Sequence, residues 1–171
     1  MPFNINFDIF WCAIIYILPA YVANASPTVL GGGPPIDMGR NFFDGKRIFG
    51  DNKTIRGLIA GILCGTLTGL IIPLFASISL YDSLLRAFLL SVGTHIGDLF
   101  GSFIKRRLNL PPGASAPVLD QLGFLVFALL ITLPFYPLEL MAIIFLVFLT
   151  LILHPLTNLI AYLLKLKDKP Y

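Results

Sequence analysis

The chain has 171 residues, of which 57% are hydrophobic and only 12% are charged. A soluble domain carries roughly twice that share of charged residues, so the composition excludes an ordinary soluble enzyme, and no nucleic-acid partner is expected. The apolar residues stand in long blocks, which is typical of an integral membrane protein, and the formal net charge of +3 matters less than where the cations lie.

Five apolar blocks are long enough to be interpreted as transmembrane helices, because a bilayer core takes about 20 residues of helix, within a range of about 17 to 25. In chain order they cover residues 7–26, 55–76, 84–104, 118–134 and 138–164, of which the fourth is short. The predicted fold is an all-α bundle of five transmembrane helices that forms one membrane-embedded domain over residues 1–171. Pro19 and Pro155 should kink their helices, because each proline removes one backbone hydrogen bond.

The basic residues predict the orientation of this bundle. Of the twelve lysines and arginines, Arg86 alone falls on one side, and the other eleven follow the first, third and fifth spans. The positive-inside rule places those eleven in the cytoplasm. The N-terminus is then outside and the C-terminus inside, with cytoplasmic loops at 31–56 and 105–117.

Glycines recur every four residues in the second and third spans. They are Gly57, Gly61, Gly65 and Gly69 in the second span, and Gly93, Gly97 and Gly101 in the third. Small residues at this spacing let two helix backbones approach closely inside a membrane. We therefore expect the second and third helices to pack against each other through these two stripes.

A polar stripe marks another face of the third span. Ser91, His95, Asp98, Ser102 and Lys105 recur at steps of four, three, four and three residues, which places them on one side of a helix. For Ser91 and His95 we expect hydrogen bonds to neighbouring helices. Asp98, Ser102 and Lys105 indicate a functional site, since an ionisable residue within a span is costly and the stripe ends in charge at the membrane rim.

The stretch from 97 to 124 joins two acids through a basic loop. Asp98 lies just inside the end of the third span, Asp120 stands at the start of the fourth, and the Lys-Arg-Arg cluster at 105–107 lies between them. Two carboxylates beside fixed cations favour a divalent metal and a phosphate-bearing substrate at the membrane face.

The first cytoplasmic loop is long for a connection between helices. Its Gly-Pro-Pro, Asp-Gly and Gly-Asp pairs are turn signals, which favour an ordered binding loop over a disordered linker. Lys53, Thr54 and Arg56 come at the start of the second helix, and a helix N-terminus attracts anions. We therefore expect a phosphate group there.

The motifs in combination resemble those of a known family. Ser102-x-x-Lys105-Arg106 and Pro117-x-x-Asp120-Gln121 resemble the signature of the CTP-dependent phosphatidate cytidylyltransferase superfamily. A fuller set, which extends over nearly the whole chain, is more similar to its archaeal branch, the CDP-archaeol synthase family. Those motifs are Tyr21-x-x-Asn24, Gly31-Gly32-Gly33-x-Pro35-x-Asp37, Asp44-Gly45-Lys46-Arg47-Ile48 and Gly50-Asp51-x-Lys53-Thr54-x-Arg56-Gly57.

This resemblance implies a reaction, a metal and a set of site residues. The reaction is transfer of a cytidylyl group from CTP to an unsaturated archaeal ether-lipid phosphate, 2,3-bis-O-geranylgeranylglycerol 1-phosphate, with release of pyrophosphate and dependence on Mg²⁺. Asp98 and Asp120 would hold the magnesium and act with Lys105 as the catalytic residues. The expected CTP and phosphate ligands are Asn24, Lys53, Thr54, Arg56, Ser102, Lys105, Arg106 and Gln121.

One position departs from the family's pattern. Family members commonly carry an acid three residues after the aspartate of the Asp-Gln pair, and this chain has Gly123 there. Asp98 and Asp120 would therefore carry the metal chemistry between them, together with water and the nucleotide phosphates.

Two other functions stay open at this point. A CTP-dependent polyprenol kinase of related membrane fold would release CDP instead of pyrophosphate. A small ion or proton carrier would use His95, Asp98 and Asp120, although no acid stands at mid-membrane on another span. CTP, the lipid phosphate and membrane lipids are the expected partners, and the choice between a monomer and a homodimer is open.

Overall fold

A computed structural model describes residues 7–166, and the regular elements in that part of the chain are all helices. The five α-helices are α1 (Phe7–Leu30), α2 (Ile55–Leu67), α3 (Leu80–Arg107), α4 (Pro117–Thr132) and α5 (Leu140–Leu163). Two single 3₁₀ turns, Thr68–Leu70 and Ile72–Leu74, continue the direction of the chain after α2. The predicted all-α bundle of five helices is confirmed.

The helices have the length and composition of a multi-pass membrane protein. Four segments are long and apolar enough to cross a bilayer: Ile9–Leu30, Ile55–Leu74, Leu80–Arg107 and Leu140–Leu163. The remaining helix, α4, is apolar but has 16 residues, so it reaches only about 24 Å at a rise of 1.5 Å per residue. The outside N-terminus and the cytoplasmic C-terminus stay predictions.

Two helices form the centre of the bundle. α1 packs against α2, α3 and α5, and α3 packs against α1, α2 and α4, so α2 covers one side and α4 and α5 cover the other. The apolar core lies between α1, α3, α4 and α5, where Ile17, Leu90, Leu125 and Leu146 are fully buried. The loop 31–54 and the α3–α4 connection meet at one end of the bundle, where Lys46 donates a hydrogen bond to the carbonyl oxygen of Arg107 at 2.9 Å and Gly50 lies against Pro112.

The glycine stripe of α2 makes room for side chains. The ring of His95 and the hydroxyl of Ser91, both on α3, lie against Gly61 and Gly65, where a Cβ atom would overlap them. On the α1 side, a Cβ atom at Gly61 would stand 2.8 Å from the carbonyl oxygen of Ala23. The stripe therefore admits the polar side chains of α3 and the backbone of α1 at the same level.

The glycine stripe of α3 faces a different helix from the predicted one. A Cβ atom at Gly93 would lie 2.7 Å from Cα of Ala128, and one at Gly97 would lie 2.9 Å from Cα of Phe124, both on α4. The helices α2 and α3 do pack against each other, as predicted, but the prediction that both glycine stripes form their interface is wrong. The physical reason is that the polar stripe of α3 occupies the side toward α2, which turns the glycines toward α4.

The first loop is ordered, as its turn signals predicted, and one buried carboxylate that those signals did not indicate lies at its centre. Asp37 accepts hydrogen bonds from the backbone N–H groups of Gly39, Phe49 and Gly50 at 2.9 to 3.1 Å, and from the guanidinium of Arg47 at 2.6 Å. Desolvation raises the pKa of Asp37, but the Arg47 guanidinium and the three N–H groups outweigh it and hold the pKa well below its ordinary value. Asp37 therefore stays ionised and fixes the loop.

Candidate active site

The folded loop holds Lys53 and Thr54 at the start of α2. The hydroxyl of Thr54 accepts a hydrogen bond from the backbone N–H of Gly57 at 3.1 Å, which makes Thr54 the N-cap of the helix. The carbonyl of Lys53 accepts from the N–H of Ile36 at 2.7 Å. Positioned in this way, the Lys53 ammonium reaches across to α3 and contacts both carboxylate oxygens of Asp98, at 2.5 Å for Oδ1.

A second ion pair joins α3 to α4. The ammonium of Lys105 donates to Oδ1 of Asp120 at 2.6 Å and to the carbonyl oxygen of Ala114 at 3.3 Å. The other carboxylate oxygen of Asp120 accepts from the backbone N–H of Ala116 at 2.9 Å. Since Ala116 is the N-cap residue of α4, this contact satisfies a free N–H at the start of that helix.

Both ion pairs lie along one charged face of α3. One face of α3 carries Asp98, Ser102 and Lys105 at helical spacing. Because Lys105 pairs with Asp120, that aspartate of α4 lies on the same side of α3 as Asp98. The two predicted metal ligands, Asp98 and Asp120, are thus presented to a common region, each paired with a lysine. Within residues 7–166, no group of three or more acid, histidine or cysteine side chains forms a metal-binding cluster.

Arg106 is buried beside this face and incompletely paired. Its side chain is 6% exposed, and Nη2 donates to the carbonyl oxygen of Pro111 at 2.9 Å. Nε and Nη1 have no hydrogen-bond partner within the part of the chain that the structure describes. A buried guanidinium with free N–H groups is costly, and phosphate oxygens are groups that satisfy it.

Arg107, the next residue, has a structural environment. Its guanidinium donates to the carbonyl oxygens of Arg47 and Lys46 at 2.6 and 3.2 Å and lies 2.6 Å from a carboxylate oxygen of Asp44. It also stacks over the ring of Phe103, 4.3 Å from the centroid. Arg107 therefore holds the first loop against α3. Its neighbour Arg106 contacts the α3–α4 connection instead, through the carbonyl oxygen of Pro111.

A small cavity of about 70 Å³ adjoins the Lys53–Asp98 pair, between α1, α2 and α3. That volume is well below the roughly 300 to 1,000 Å³ of ligand pockets, so the cavity is too small for a whole nucleotide while the lysine and the aspartate are paired. His95 also lines this cavity, and its buried Nε2 has no hydrogen-bond partner among the described residues. The structure thus places His95 beside Asp98.

Three other predicted ligands are not members of the two ion pairs. Asn24 lines a second cavity, between α1, α4 and α5. Arg56 is exposed on the first turn of α2, and Gln121 is partly buried on α4. Their contacts with a nucleotide, like the roles of the other site residues, stay predictions.

Sequence reasoning missed two features of the site. It did not find Asp37 as the centre of the first loop, although Asp37 ends the glycine- and proline-rich motif that begins at Gly31. It also treated His95 mainly as a partner of neighbouring helices. The signal for His95 was its position on the polar stripe, one helical turn from Asp98.

Comparison with known proteins matches this arrangement to one family. The family model described as CarS-like, CDP-archaeol synthase, matches residues 6–171. The CDP-archaeol synthase of Pyrococcus furiosus is 48% identical over 168 residues, which cover 96% of this chain and 97% of that protein. The CDP-archaeol synthase of Thermococcus kodakarensis is 52% identical with the same coverage, and that of Methanocaldococcus jannaschii is 46% identical over 172 residues, 95% of this chain and 97% of that protein.

A solved structure shares the fold. It is described as an intramembrane enzyme for archaeal membrane lipid biosynthesis, is 38% identical in sequence and superposes with a TM-score of 0.81. The superposition covers 87% of this chain and 94% of the other.

Proposed function

Because the chain belongs to the CDP-archaeol synthase family, we propose that it transfers the cytidylyl group of CTP to 2,3-bis-O-geranylgeranylglycerol 1-phosphate and releases pyrophosphate. The family makes the chain a cytidylyltransferase of the membrane. The lipid, the metal and the roles of individual residues are the substance of the proposal. The observation that carries it is the charged face of α3, where two lysine–aspartate pairs and the incompletely paired Arg106 lie together.

The reaction that this face supports is an in-line displacement at phosphorus. An oxygen of the lipid phosphate attacks the α-phosphorus of CTP, and the bond from that phosphorus to the oxygen bridging to the β-phosphate breaks. The attacking phosphate monoester is largely dianionic at neutral pH, so the step needs no general base. The obstacle is repulsion between two anions, which positioning and neutralisation of charge relieve.

The cations of the site are placed for that task. Lys53, Lys105 and Arg106 would neutralise the triphosphate and the lipid phosphate, and the two lysines would exchange their aspartates for phosphate oxygens. Thr54 keeps its hydroxyl hydrogen available as a donor, since its oxygen accepts from Gly57. The backbone at the start of α2 also favours an anion, and Arg56 lies in that first turn.

Ser102, Gln121 and Asn24 complete the proposed contacts. Ser102 is buried on the charged face between the two acids, and Gln121 follows Asp120 on α4. Asn24 lines the second cavity, so its proposed contact with the nucleotide requires the nucleotide to reach past α1.

The donor chemistry of Asp98 and Asp120 fits a magnesium ion. Mg²⁺ binds hard oxygen ligands, commonly one or two carboxylates, and completes its shell with water and substrate phosphates, so Gly123 in place of a third acid does not prevent binding. Asp98 and Asp120 would hold the ion once Lys53 and Lys105 turn to the phosphates. A bound Mg²⁺ supplies neutralisation of the phosphate charge.

The decisive assay uses the purified chain in detergent with labelled CTP, Mg²⁺ and the geranylgeranyl ether-lipid phosphate. We expect equal amounts of pyrophosphate and CDP-lipid, and loss of both when the magnesium is chelated. A parallel reaction with polyprenol in place of the lipid phosphate separates the kinase alternative. CDP release in that reaction, without pyrophosphate from the lipid phosphate, would overturn the proposal.

The basic asymmetry supports a cytoplasmic position for the charged face, and labelling tests it. Ser77, between α2 and α3, and Ser115, between α3 and α4, are both exposed and lie at opposite ends of the bundle. In a chain that lacks Cys12 and Cys64, a membrane-impermeant maleimide should label Ser77→Cys in intact cells and should label Ser115→Cys only after lysis. The reverse pattern would place the charged face outside.

A further inference from the structure

The first loop exposes a large apolar side chain at its outermost turn. Phe43 is 100% exposed, and Met38, in the same part of the loop, is also exposed. Residues 38–47 are defined here as the aromatic tip. Exposed apolar groups of this kind mark interaction surfaces. We propose that the aromatic tip inserts Phe43 into the headgroup layer of the bilayer beside α3 and so holds the first loop against the membrane, a role that goes beyond the proposed reaction.

The aromatic tip is an ordered turn. The backbone N–H of Phe42 donates to the carbonyl oxygen of Lys46 at 2.7 Å, and the N–H of Gly45 donates to the carbonyl oxygen of Phe42 at 2.9 Å. A carboxylate oxygen of Asp44 accepts from the N–H of Lys46 at 3.1 Å. Gly45 has a φ of 76°, the left-handed conformation that a three-residue hairpin loop requires at this position. Phe43 is therefore held at the end of a defined turn, with its ring outward.

The aromatic tip lies on the outer side of α3, away from the glycine stripe and the charged face. Steps of four, three and four residues place on this side Ile96, Phe100, Phe103 and Arg107. Ile96 and Phe100 are exposed within a membrane span, so this side of the helix faces lipid. The ring of Phe42 packs edge-on against the ring of Phe103, with centroids 5.2 Å apart, and the guanidinium of Arg107 lies over the Phe42 ring. The tip therefore adjoins the lipid.

The length of α3 gives the depth of the aromatic tip. The helix has 28 residues and is therefore about 42 Å long, close to the roughly 40 to 45 Å of a bilayer that includes both headgroup layers. Since the hydrocarbon core is about 30 Å thick, each headgroup layer takes up about 5 to 7 Å. Phe103 lies one turn, or about 6 Å, before the end of α3 at Arg107. The contact between Phe42 and Phe103 thus places the tip at the headgroup layer.

The cations of the aromatic tip favour anionic lipids as its partner. Arg40 is exposed, and the ammonium of Lys46 donates to the carbonyl oxygen of Arg107 at the end of α3 at 2.9 Å. Membrane anchors combine such cations with phenylalanine, because the cations attract lipid phosphates while the ring leaves water. A second copy of the chain fits less well, since a stable protein interface buries about 1,200 to 2,000 Å² and one phenylalanine contributes about 150 to 250 Å². The bilayer around α3 is therefore the better partner.

Fluorescence quenching by brominated lipids tests the depth of Phe43. Trp11→Phe removes the only tryptophan of the chain, and Phe43→Trp then reports on the aromatic tip in vesicles of phosphatidylcholine and phosphatidylglycerol. Lipid brominated beside the headgroup should remove most of its emission, and lipid brominated at the chain end should remove little. Ile96→Trp, about 16 Å inside the end of α3, should show the opposite preference. Ser115→Trp, exposed in the α3–α4 connection, should be quenched by neither lipid.

Two outcomes would overturn the inference. Quenching of Phe43→Trp that does not exceed that of Ser115→Trp would mean that the aromatic tip stands in water. Blue-shifted emission that brominated lipid does not quench, and that is lost when the protein is diluted in lipid, would mean that a second copy covers the tip. In support, quenching of Phe43→Trp should rise with the share of phosphatidylglycerol, and Arg40→Ala should remove that rise. None of these measurements requires turnover, so they decide the place of the tip whether or not the proposed reaction occurs.

Discussion

The two lysine–aspartate pairs on the charged face of α3 differ in what else each aspartate does. Asp98 gives both carboxylate oxygens to Lys53, and no backbone N–H in residues 7–166 donates to it. Asp120 divides its oxygens between Lys105 and the N–H of Ala116 at the start of α4. One carboxylate therefore contributes charge alone, whereas the other also completes a helix terminus.

This difference means that the same substitution has separable effects at the two positions. A change that removes charge and keeps a hydrogen-bond acceptor should affect activity at both. A change that removes the acceptor should affect stability only at Asp120. Activity and stability, measured together, therefore distinguish a chemical role from a structural one.

The largest expected effect is loss of turnover in Asp98→Asn and in Asp120→Asn. Asparagine keeps the shape of the side chain but loses the negative charge that a hard cation requires. We expect magnesium-dependent pyrophosphate release to fall at least about 10³-fold in each variant, at the upper end of what one electrostatic group contributes to catalysis. Thermal unfolding should stay close to the parent's, since each replaced ion pair is partly exposed. Turnover near the parent's rate in either variant would show that its carboxylate is structural.

The next effect concerns the α3–α4 interface, which brings the two pairs to one face. A Cβ atom at Gly97 would overlap the carbonyl of Gly123, and backbone atoms cannot rotate away. We expect Gly97→Ala to lower the free energy of unfolding by about 2 kcal/mol through overpacking, measured by denaturant or thermal unfolding in detergent.

Gly101 supplies the matched control one turn along the same stripe. Its Cβ atom would lie 3.5 Å from Cγ of Leu119, an ordinary contact, so Gly101→Ala should be neutral or slightly stabilising because alanine favours a helix. Equal destabilisation by both alanines would contradict the close approach at Gly97.

The lysines should show a smaller, kinetic effect. Lys53→Ala and Lys105→Ala each remove one proposed phosphate contact, so the KM for CTP should rise about tenfold, equivalent to about 1.4 kcal/mol. Arg40→Ala removes an exposed cation from the first loop and is the matched control, with an unchanged KM. If all three variants raise the KM for CTP equally, the effect comes from the total positive charge at this end of the bundle, and the two lysine–aspartate pairs have no specific role in binding CTP.

The sequence was sufficient to predict the helices and the acids, for a clear physical reason. A bilayer requires long apolar segments, so the apolar blocks around Ile17 and Leu146 predict helices even when the elements that pack against them are not known. An acid such as Asp98 within such a block stands out because its burial is costly. The predicted residues Lys105 and Asp120 were found in the same way, as charges at the end of an apolar segment.

The contacts between one helix and another, and between the first loop and α3, could not be predicted from the sequence pattern alone. A four-residue repeat such as that of Gly93 and Gly97 defines a face of a helix but does not say which neighbour covers it, and the wrong neighbour was predicted. The pairing of Lys53 with Asp98 depends on how a loop folds back onto a span. That loop depends in turn on three backbone N–H groups that converge on Asp37, which side-chain periodicity does not reveal.

The smallest predicted effect isolates the second role of Asp120. Asp120→Asn keeps an oxygen that accepts from the N–H of Ala116, whereas Asp120→Ala loses it and leaves that N–H unsatisfied. Because loss of a capping hydrogen bond costs typically about 1 kcal/mol, Asp120→Ala should unfold at lower denaturant than Asp120→Asn by that amount. Both variants should be equally inactive, since both lack the charge.

Position 98 is the internal control for this comparison. Among residues 7–166 no backbone N–H donates to Asp98, so Asp98→Ala and Asp98→Asn should have the same free energy of unfolding within about 0.5 kcal/mol. A gap between alanine and asparagine at 120 but not at 98 would assign the capping role to Asp120 alone. If the gap is absent at 120, or equally large at 98, the two carboxylates are equivalent, and the Ala116 contact contributes nothing to the start of α4.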